Sequence, residues 1–214
     1  MLVLTRALLG RLPATGLAEA DMSYIPVSRR TLRLHRESER STRRLVAGLS
    51  AAAFVAWLLS VLLSSTVFVD GYVHAIDLVV HDLFLVVAFG AIILVDWHGF
   101  LWLIGRRTLG EIIRLDGAAT PLIWGGLAGM LATGVFLSPH LDSPMTEVKL
   151  AAVLVLSLNG IMLIPLMRRL ARLPARTAFG DLSTGQRVHL MTCLVISQLC
   201  WWTAIIIGFI NAQS

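Results

Sequence analysis

Residues 43–67 read RRLVAGLSAAAFVAWLLSVLLSSTV, two arginines followed by a long apolar run. A helix needs about 20 apolar residues to cross a bilayer core of about 30 Å, and the run at 45–67 meets that requirement. The same arrangement, an apolar run bordered by arginines, recurs along the rest of the chain. The stretch therefore predicts a membrane-spanning helix and, by its recurrence, an all-α polytopic membrane protein.

Four further apolar runs of spanning length follow the first one, at 74–95, 118–137, 148–167 and 188–210. The whole chain is 57% hydrophobic and only 14% charged, whereas a soluble domain carries about 25% charged residues. Short connections between consecutive helices favour antiparallel neighbours. The composition and spacing predict an up-and-down bundle of five transmembrane helices within a domain at 45–212.

The arginines predict the orientation of this bundle. All 17 of them fall in three blocks, at 6–44, 106–114 and 168–187, and the alternate connections at 69–73 and 138–147 contain none. Because positive charge is retained on the cytoplasmic side, we expect an N-in, C-out protein, in a bacterial plasma (inner) membrane. Residues 1–44 are predicted to form a basic cytoplasmic tail, amphipathic or disordered, that starts at Met1 or Met22.

The net charge of +5 does not indicate a nucleic-acid-binding protein. The arginines border apolar runs, and no basic patch interleaved with aromatic residues is present. We expect them to contact anionic lipid headgroups at the cytoplasmic face, and we leave homo-oligomer formation open. An aromatic belt at the two interfaces is expected from the tryptophans at 57, 97, 102, 201 and 202.

The second apolar run carries a polar stripe near its outer end. At 100° per residue, one narrow helix face holds four of its side chains, Asp70, His74, Asp77 and His81. Histidine and carboxylate can bind copper or another transition metal. Charged groups cost about 2.5–3.5 kcal/mol each at membrane depth, so we expect this face to turn towards protein. Alternatively, Asp70 and His74 lie among the lipid headgroups.

Lys149 opens the fourth run, on the side where the arginine pattern disfavours a cation. If the second and fourth helices are neighbours, Lys149 and His81 can approach each other, and a neutral amine and an imidazole can both ligate iron. The alternative is a lysine that extends to the headgroups. In the third run, Gly125 and Gly129 predict a close helix contact. Asn159 in the fourth run and Gln198 in the fifth run predict hydrogen bonds between helices.

The segment from His81 to about Arg168 resembles the HemJ-type membrane protoporphyrinogen oxidases and the related copper-resistance D membrane proteins. The shared features are a helix with histidine near its start, a basic turn, a glycine-rich helix, and a helix that opens Glu147-Val148-Lys149-Leu150-Ala151 and continues Leu158-Asn159-Gly160. In the HemJ-type oxidases the histidine and the lysine are associated with haem. The resemblance therefore implies that His81 and Lys149 bind haem here.

Three functions follow as hypotheses. The first is a haem- or metal-binding redox protein, which as an enzyme would be a membrane oxidoreductase. The second is a transporter for copper or another metal cation, with the polar stripe as its outer entry site. The third is a non-catalytic membrane scaffold whose basic tail binds a cytoplasmic partner.

Overall fold

The computed structural model describes residues 29–67, 69–137 and 142–211, with side chains described from residue 37 onwards. Most of the predicted N-terminal tail, residues 1–28, lies outside this range. The chain divides into two units, Met1–Arg40 and Ser41–Ser214. The second unit contains all five predicted spans.

Five α-helices account for most of the described residues: α1 Arg29–Ser64, α2 Gly71–Leu103, α3 Leu109–Thr133, α4 Pro144–Leu170 and α5 Thr184–Asn211. No strand occurs in the described ranges. Four stretches are long and apolar enough to cross a membrane, namely Glu37–Ser64 within α1 and the whole of α2, α4 and α5. The prediction of a helical membrane protein is confirmed. α3 is not among these four; it is rich in glycine and begins with several charged residues.

The connection between α2 and α3 is much shorter than predicted. α2 continues to Leu103, beyond the expected end at Val95, and α3 already begins at Leu109. α2 continues beyond the apolar run because the hydrogen bonds of a helix backbone also form outside the lipid. Thr108 starts α3 through a capping box with Glu111, whose side chain accepts a hydrogen bond from the Thr108 backbone N–H at 2.8 Å.

Consecutive helices of the second unit run in opposite directions. One end is held by a cluster from α2, α3, α4 and the connection after α4, made of Trp102, Leu109, Ile112, Leu166, Leu170 and Leu182. Arg168 donates a hydrogen bond to Thr42 at 3.2 Å, which places that part of α1 at the same end. At the other end, Asn211 donates to Thr146 at 3.2 Å. The arginine blocks at 106–114 and 168–187 therefore share one end, away from Lys149.

α2 and α3 pack at van der Waals distance along small residues. A Cβ atom added to Gly126 would lie 2.6 Å from the Ala88 Cβ, and one added to Gly129 would lie 2.4 Å from the Phe84 ring. Gly125 has nothing within 4 Å of such an atom. The prediction that Gly125 lies at this contact is therefore wrong, and Gly126 lies there instead. The two glycines differ because one step along a helix turns the direction of the side chain by 100°.

The centre of the unit joins four helices through Ala88, Leu127, Leu156 and Trp201. Trp201 is only 2% exposed, so the prediction that it belongs to an aromatic belt at the membrane interface is wrong. Trp102 is buried as well, and its indole N–H donates to the Thr177 carbonyl at 3.0 Å. Trp97 and Trp202 remain about half exposed. Tryptophan is large enough to fill a helix interface, and composition does not reveal which of these roles it takes.

A membrane cavity as the candidate functional site

A cavity of about 260 Å³ lies between the helices, towards the end of the unit opposite the arginines. All five helices line it. Its polar lining comes from Trp57, Ser60, Ser64, His81, Asp82, Lys149 and Trp201, and most of the remainder is leucine, valine, isoleucine and methionine. The cavity therefore combines an apolar wall with a few polar groups, as ligand sites in proteins commonly do.

The predicted polar face of α2 turns towards the protein. His74, Asp77 and His81 are partly buried, whereas Ile76 and Val79 between them are exposed. This part of the prediction is confirmed, and it follows from the high cost of a polar side chain in lipid.

Asp70 does not belong to that helical face. Its backbone is extended, with φ −70° and ψ 164°, and its exposed carboxylate accepts a hydrogen bond from the Val73 N–H at 2.8 Å. Asp70 is the N-cap of α2, a role in which aspartate satisfies an otherwise unpaired backbone donor. The predicted four-residue stripe is thereby corrected to three residues within the helix.

The structure does not gather the predicted metal ligands around one point. Over the described ranges, no group of three or more histidine, cysteine, aspartate or glutamate side chains is arranged to hold a metal ion. His74, Asp77 and His81 follow one another along a single face, and seven residues of helix span about 10 Å. One metal ion cannot reach both ends of such a row.

His81 is anchored by a residue that the sequence did not single out. Its Nδ1 lies 2.7 Å from the hydroxyl of Thr133, in the last turn of α3. Thr133 donates its own hydroxyl hydrogen to the Gly129 carbonyl at 2.8 Å, so the hydroxyl oxygen accepts from His81 Nδ1–H. A neutral imidazole with Nδ1 protonated keeps a lone pair on Nε2. His81 thus offers the cavity a nitrogen that can bind a metal or accept a proton.

Lys149 lines the same cavity from the second turn of α4. It is partly buried, and it lies near enough to His81 to interact with it electrostatically. No hydrogen bond or ion pair of Lys149 occurs within the described residues. Asp82 also lines the cavity, but it is exposed. The structure therefore brings His81 and Lys149 to one site, and their predicted role in binding a cofactor stays a prediction.

Trp201 contributes a second unsatisfied donor. Its indole Nε1 is buried and has no hydrogen-bond partner in the described part of the chain. By contrast, Trp57 donates to the Leu150 carbonyl at 2.9 Å, and Ser60 donates to the Leu131 carbonyl at 2.6 Å. Leaving a buried donor unpaired costs about 1–3 kcal/mol. The Trp201 N–H is fully buried and therefore not open to the cavity. The cavity wall thus holds the Lys149 amino group and an imidazole nitrogen of His81 that are available to a ligand.

Two other polar contacts join helices outside the cavity. Asn159 donates to the Cys193 carbonyl at 2.8 Å, between α4 and α5. Gln198 donates to the Asp96 carboxylate on α2 and accepts from Trp202 at 3.2 Å. The predicted hydrogen bonds of Asn159 and Gln198 between helices are confirmed.

Comparison of the chain with known protein families, with characterised proteins and with solved structures finds no match. The resemblance to the HemJ-type oxidases and the copper-resistance D proteins, and the haem site it implies, therefore stay predictions. The geometry of the cavity is the basis for a functional proposal.

Proposed function

We propose that the protein crosses the membrane five times with its N-terminus inside and its C-terminus outside, in a bacterial inner membrane. α3 supports the fifth crossing, since its 25 residues span about 37 Å and it packs tightly along α2 through Gly126 and Gly129. The arginines at one end of the unit support the orientation, because positive charge stays in the cytoplasm.

Reporter fusions test this topology. A C-terminal fluorescent protein that matures only in the cytoplasm should be dark, and an exported phosphatase at the same position should be active. The matched control is a fusion truncated after Arg107, in the connection between α2 and α3, where the two signals should be reversed. A bright C-terminal fluorescent fusion would contradict the five-span, N-in arrangement.

For the activity, we propose that the protein binds an organic cofactor or a lipid-soluble ligand in the cavity, with His81 and Lys149 as its main polar contacts. One observation carries this proposal: a partly buried lysine at membrane depth faces a cavity in which no described carboxylate pairs with it. Cations inside a membrane protein are costly and typically face a partner or a functional cavity. A bound ligand would compensate that cost.

Haem is the cofactor that the resemblance implies. The residues that line the cavity meet some of the requirements of a haem site, and the volume of the cavity does not. His81 has the anchored Nδ1–H and the free Nε2 that are typical of a metal-binding histidine. Lys149 could be a second ligand of the haem iron, or it could pair with a haem propionate. Haem would supply an iron centre for electron transfer. The cavity volume of about 260 Å³ lies below the range of about 300–1,000 Å³ of most ligand sites. Only part of a porphyrin would therefore lie inside this cavity.

An absorption spectrum of the purified protein tests the haem proposal. A Soret band should disappear in His81→Ala and weaken or shift in Lys149→Ala, and Thr133→Val should weaken it because His81 loses its anchor. Trp202→Phe, outside the cavity, is the matched control. A full haem complement in the double variant of His81 and Lys149 would place haem elsewhere.

Metal-cation transport and a scaffold role are the alternative proposals. Copper binding without a Soret band would favour transport, with His74, Asp77 and His81 as an entry row, although the described residues show no three-ligand group. A protein that binds neither haem, nor copper, nor any lipid-soluble ligand would favour the scaffold, whose basic tail lies largely outside the described residues.

A further inference from the structure

We propose that the ligand of the cavity is a quinone or quinol headgroup, a flat ring that carries oxygen atoms at opposite edges and a hydrocarbon tail. This inference rests on the proposed ligand-binding function of the same cavity and names the chemical class that the cavity recognises.

The unsatisfied polar groups match the oxygens of such a ring. The Lys149 side chain is a donor without a partner among the described residues, and a quinone carbonyl accepts such a bond. The Nδ1–H of His81 donates a hydrogen bond to the Thr133 hydroxyl, so the lone pair of the ring lies on Nε2. Nε2 can therefore accept a hydrogen bond from the hydroxyl group of a quinol. Both oxidation states of the ring therefore find partners.

The size and the walls of the cavity also fit this ligand. A volume of about 260 Å³ holds a single substituted ring more readily than a larger cofactor. Leucine and methionine side chains from α3, such as Leu127 and Met130, and the Trp201 ring supply an apolar lining. A flat aromatic ring gains from packing on such a surface.

The ligand can enter from the lipid. Phe209 on α5 and Leu78 on α2 both line the cavity, and they are 61% and 36% exposed, so the cavity borders the lipid-facing surface. The hydrocarbon tail of the ligand would extend out of the cavity across this border and lie among the lipids. A purely apolar lipid fills the cavity equally well but leaves the Lys149 amino group unpaired, which disfavours it.

The test is calorimetric titration of the purified full-length protein with three probes: a decyl-substituted 1,4-benzoquinone, its reduced quinol, and decylbenzene as the oxygen-free control. We expect the quinone to bind at least about tenfold more tightly than decylbenzene, because hydrogen bonds to charged groups contribute most. Lys149→Met should weaken quinone binding about tenfold or more.

Three further variants show where the ring binds. His81→Phe should weaken the quinol more than the quinone, since only the quinol donates to Nε2. Gly208→Leu should block all three probes, because Gly208 lines the cavity and has open space around a new side chain. Trp202→Phe should change nothing, since it removes an indole N–H outside the cavity.

The outcomes separate this inference from the proposed function. If decylbenzene binds as tightly as the quinone and Gly208→Leu blocks both, the cavity binds ligands but the quinone inference is wrong. If the quinone does not bind and a His81-dependent Soret band is present, the inference also fails while the cofactor proposal stands. Unchanged quinone affinity in Lys149→Met and Gly208→Leu overturns the inference. If no probe binds and no haem is present, both proposals fail.

Discussion

Replacing Gly126 with alanine should push α2 and α3 apart. The added Cβ atom would lie 2.6 Å from the Ala88 Cβ and 2.8 Å from the Phe84 carbonyl oxygen, whereas ordinary contacts begin at 3.4 Å. Neither atom can rotate away, because one is backbone and the other is attached directly to it. The helices must therefore separate locally by about 0.8 Å, the difference between 3.4 and 2.6 Å.

The neighbouring Gly125→Ala variant isolates the packing cost. Overpacking costs about 1–3 kcal/mol, while exchange of glycine for alanine inside a helix gains about 0.8–1.0 kcal/mol in both variants. Since nothing lies within 4 Å of a Cβ at Gly125, that variant should be neutral or stabilised. We expect Gly126→Ala to be less stable than Gly125→Ala by about 1–3 kcal/mol.

Reversible unfolding of the two variants in mixed micelles, followed by tryptophan fluorescence over increasing denaturing detergent, measures this difference. Phe84 and Ala88 provide a second check, because Ala88→Gly should recover part of the loss in Gly126→Ala by removing the Cβ atom that clashes. Equal free energies of unfolding for Gly125→Ala and Gly126→Ala would refute the assignment of Gly126 to the helix contact.

Two further predictions concern the remaining polar contacts of the helices. Asn159→Ala should lower the free energy of unfolding by about 0.6 kcal/mol, because it removes the hydrogen bond to Cys193 between α4 and α5, whereas Ser197→Ala, for which no such bond is described, should not. The Thr108 backbone N–H, the Arg107 guanidinium and the Thr108 hydroxyl lower the pKa of Glu111 from 4.5 to about 2. Because the folded-state pKa is the lower one, this stabilisation is present above pH 4.5 and is lost as the pH falls towards 2. The stability advantage of the unmodified protein over Glu111→Gln should therefore shrink over that acidic range, and thermal unfolding at several pH values would measure it. An advantage that grows on acidification would contradict the assignment.

Much of the fold could be predicted because the membrane restricts the choices. A chain in lipid must satisfy its backbone hydrogen bonds internally, so long apolar runs such as 45–67 and 188–210 become helices. Helix ends were less predictable. α2 continues to Leu103 because its end is decided by the turn at Gly105, where φ is 74°, and not by the edge of the apolar run.

The site was predictable only in part. His81 and Lys149 were found because ionisable groups are rare at membrane depth and conspicuous in an apolar sequence. Thr133 and Trp201 carried no such signal, since threonine at a helix end and tryptophan in an apolar run are both ordinary. Their roles arise from contacts between helices, namely the Thr133 hydroxyl on His81 and the Trp201 ring at the cavity wall.

The sequence by itself determined the helical membrane class, the polar face of α2 and the one-sided distribution of arginine, because each depends on hydropathy and charge along the chain. Only the tertiary structure decided which glycine contacts α2, that Asp70 caps the helix instead of extending the stripe, and that His81, Lys149 and Trp201 meet at one cavity. These features depend on the rotation of each helix about its axis. A shift of one residue turns that face by 100°, which the pattern of apolar residues does not resolve.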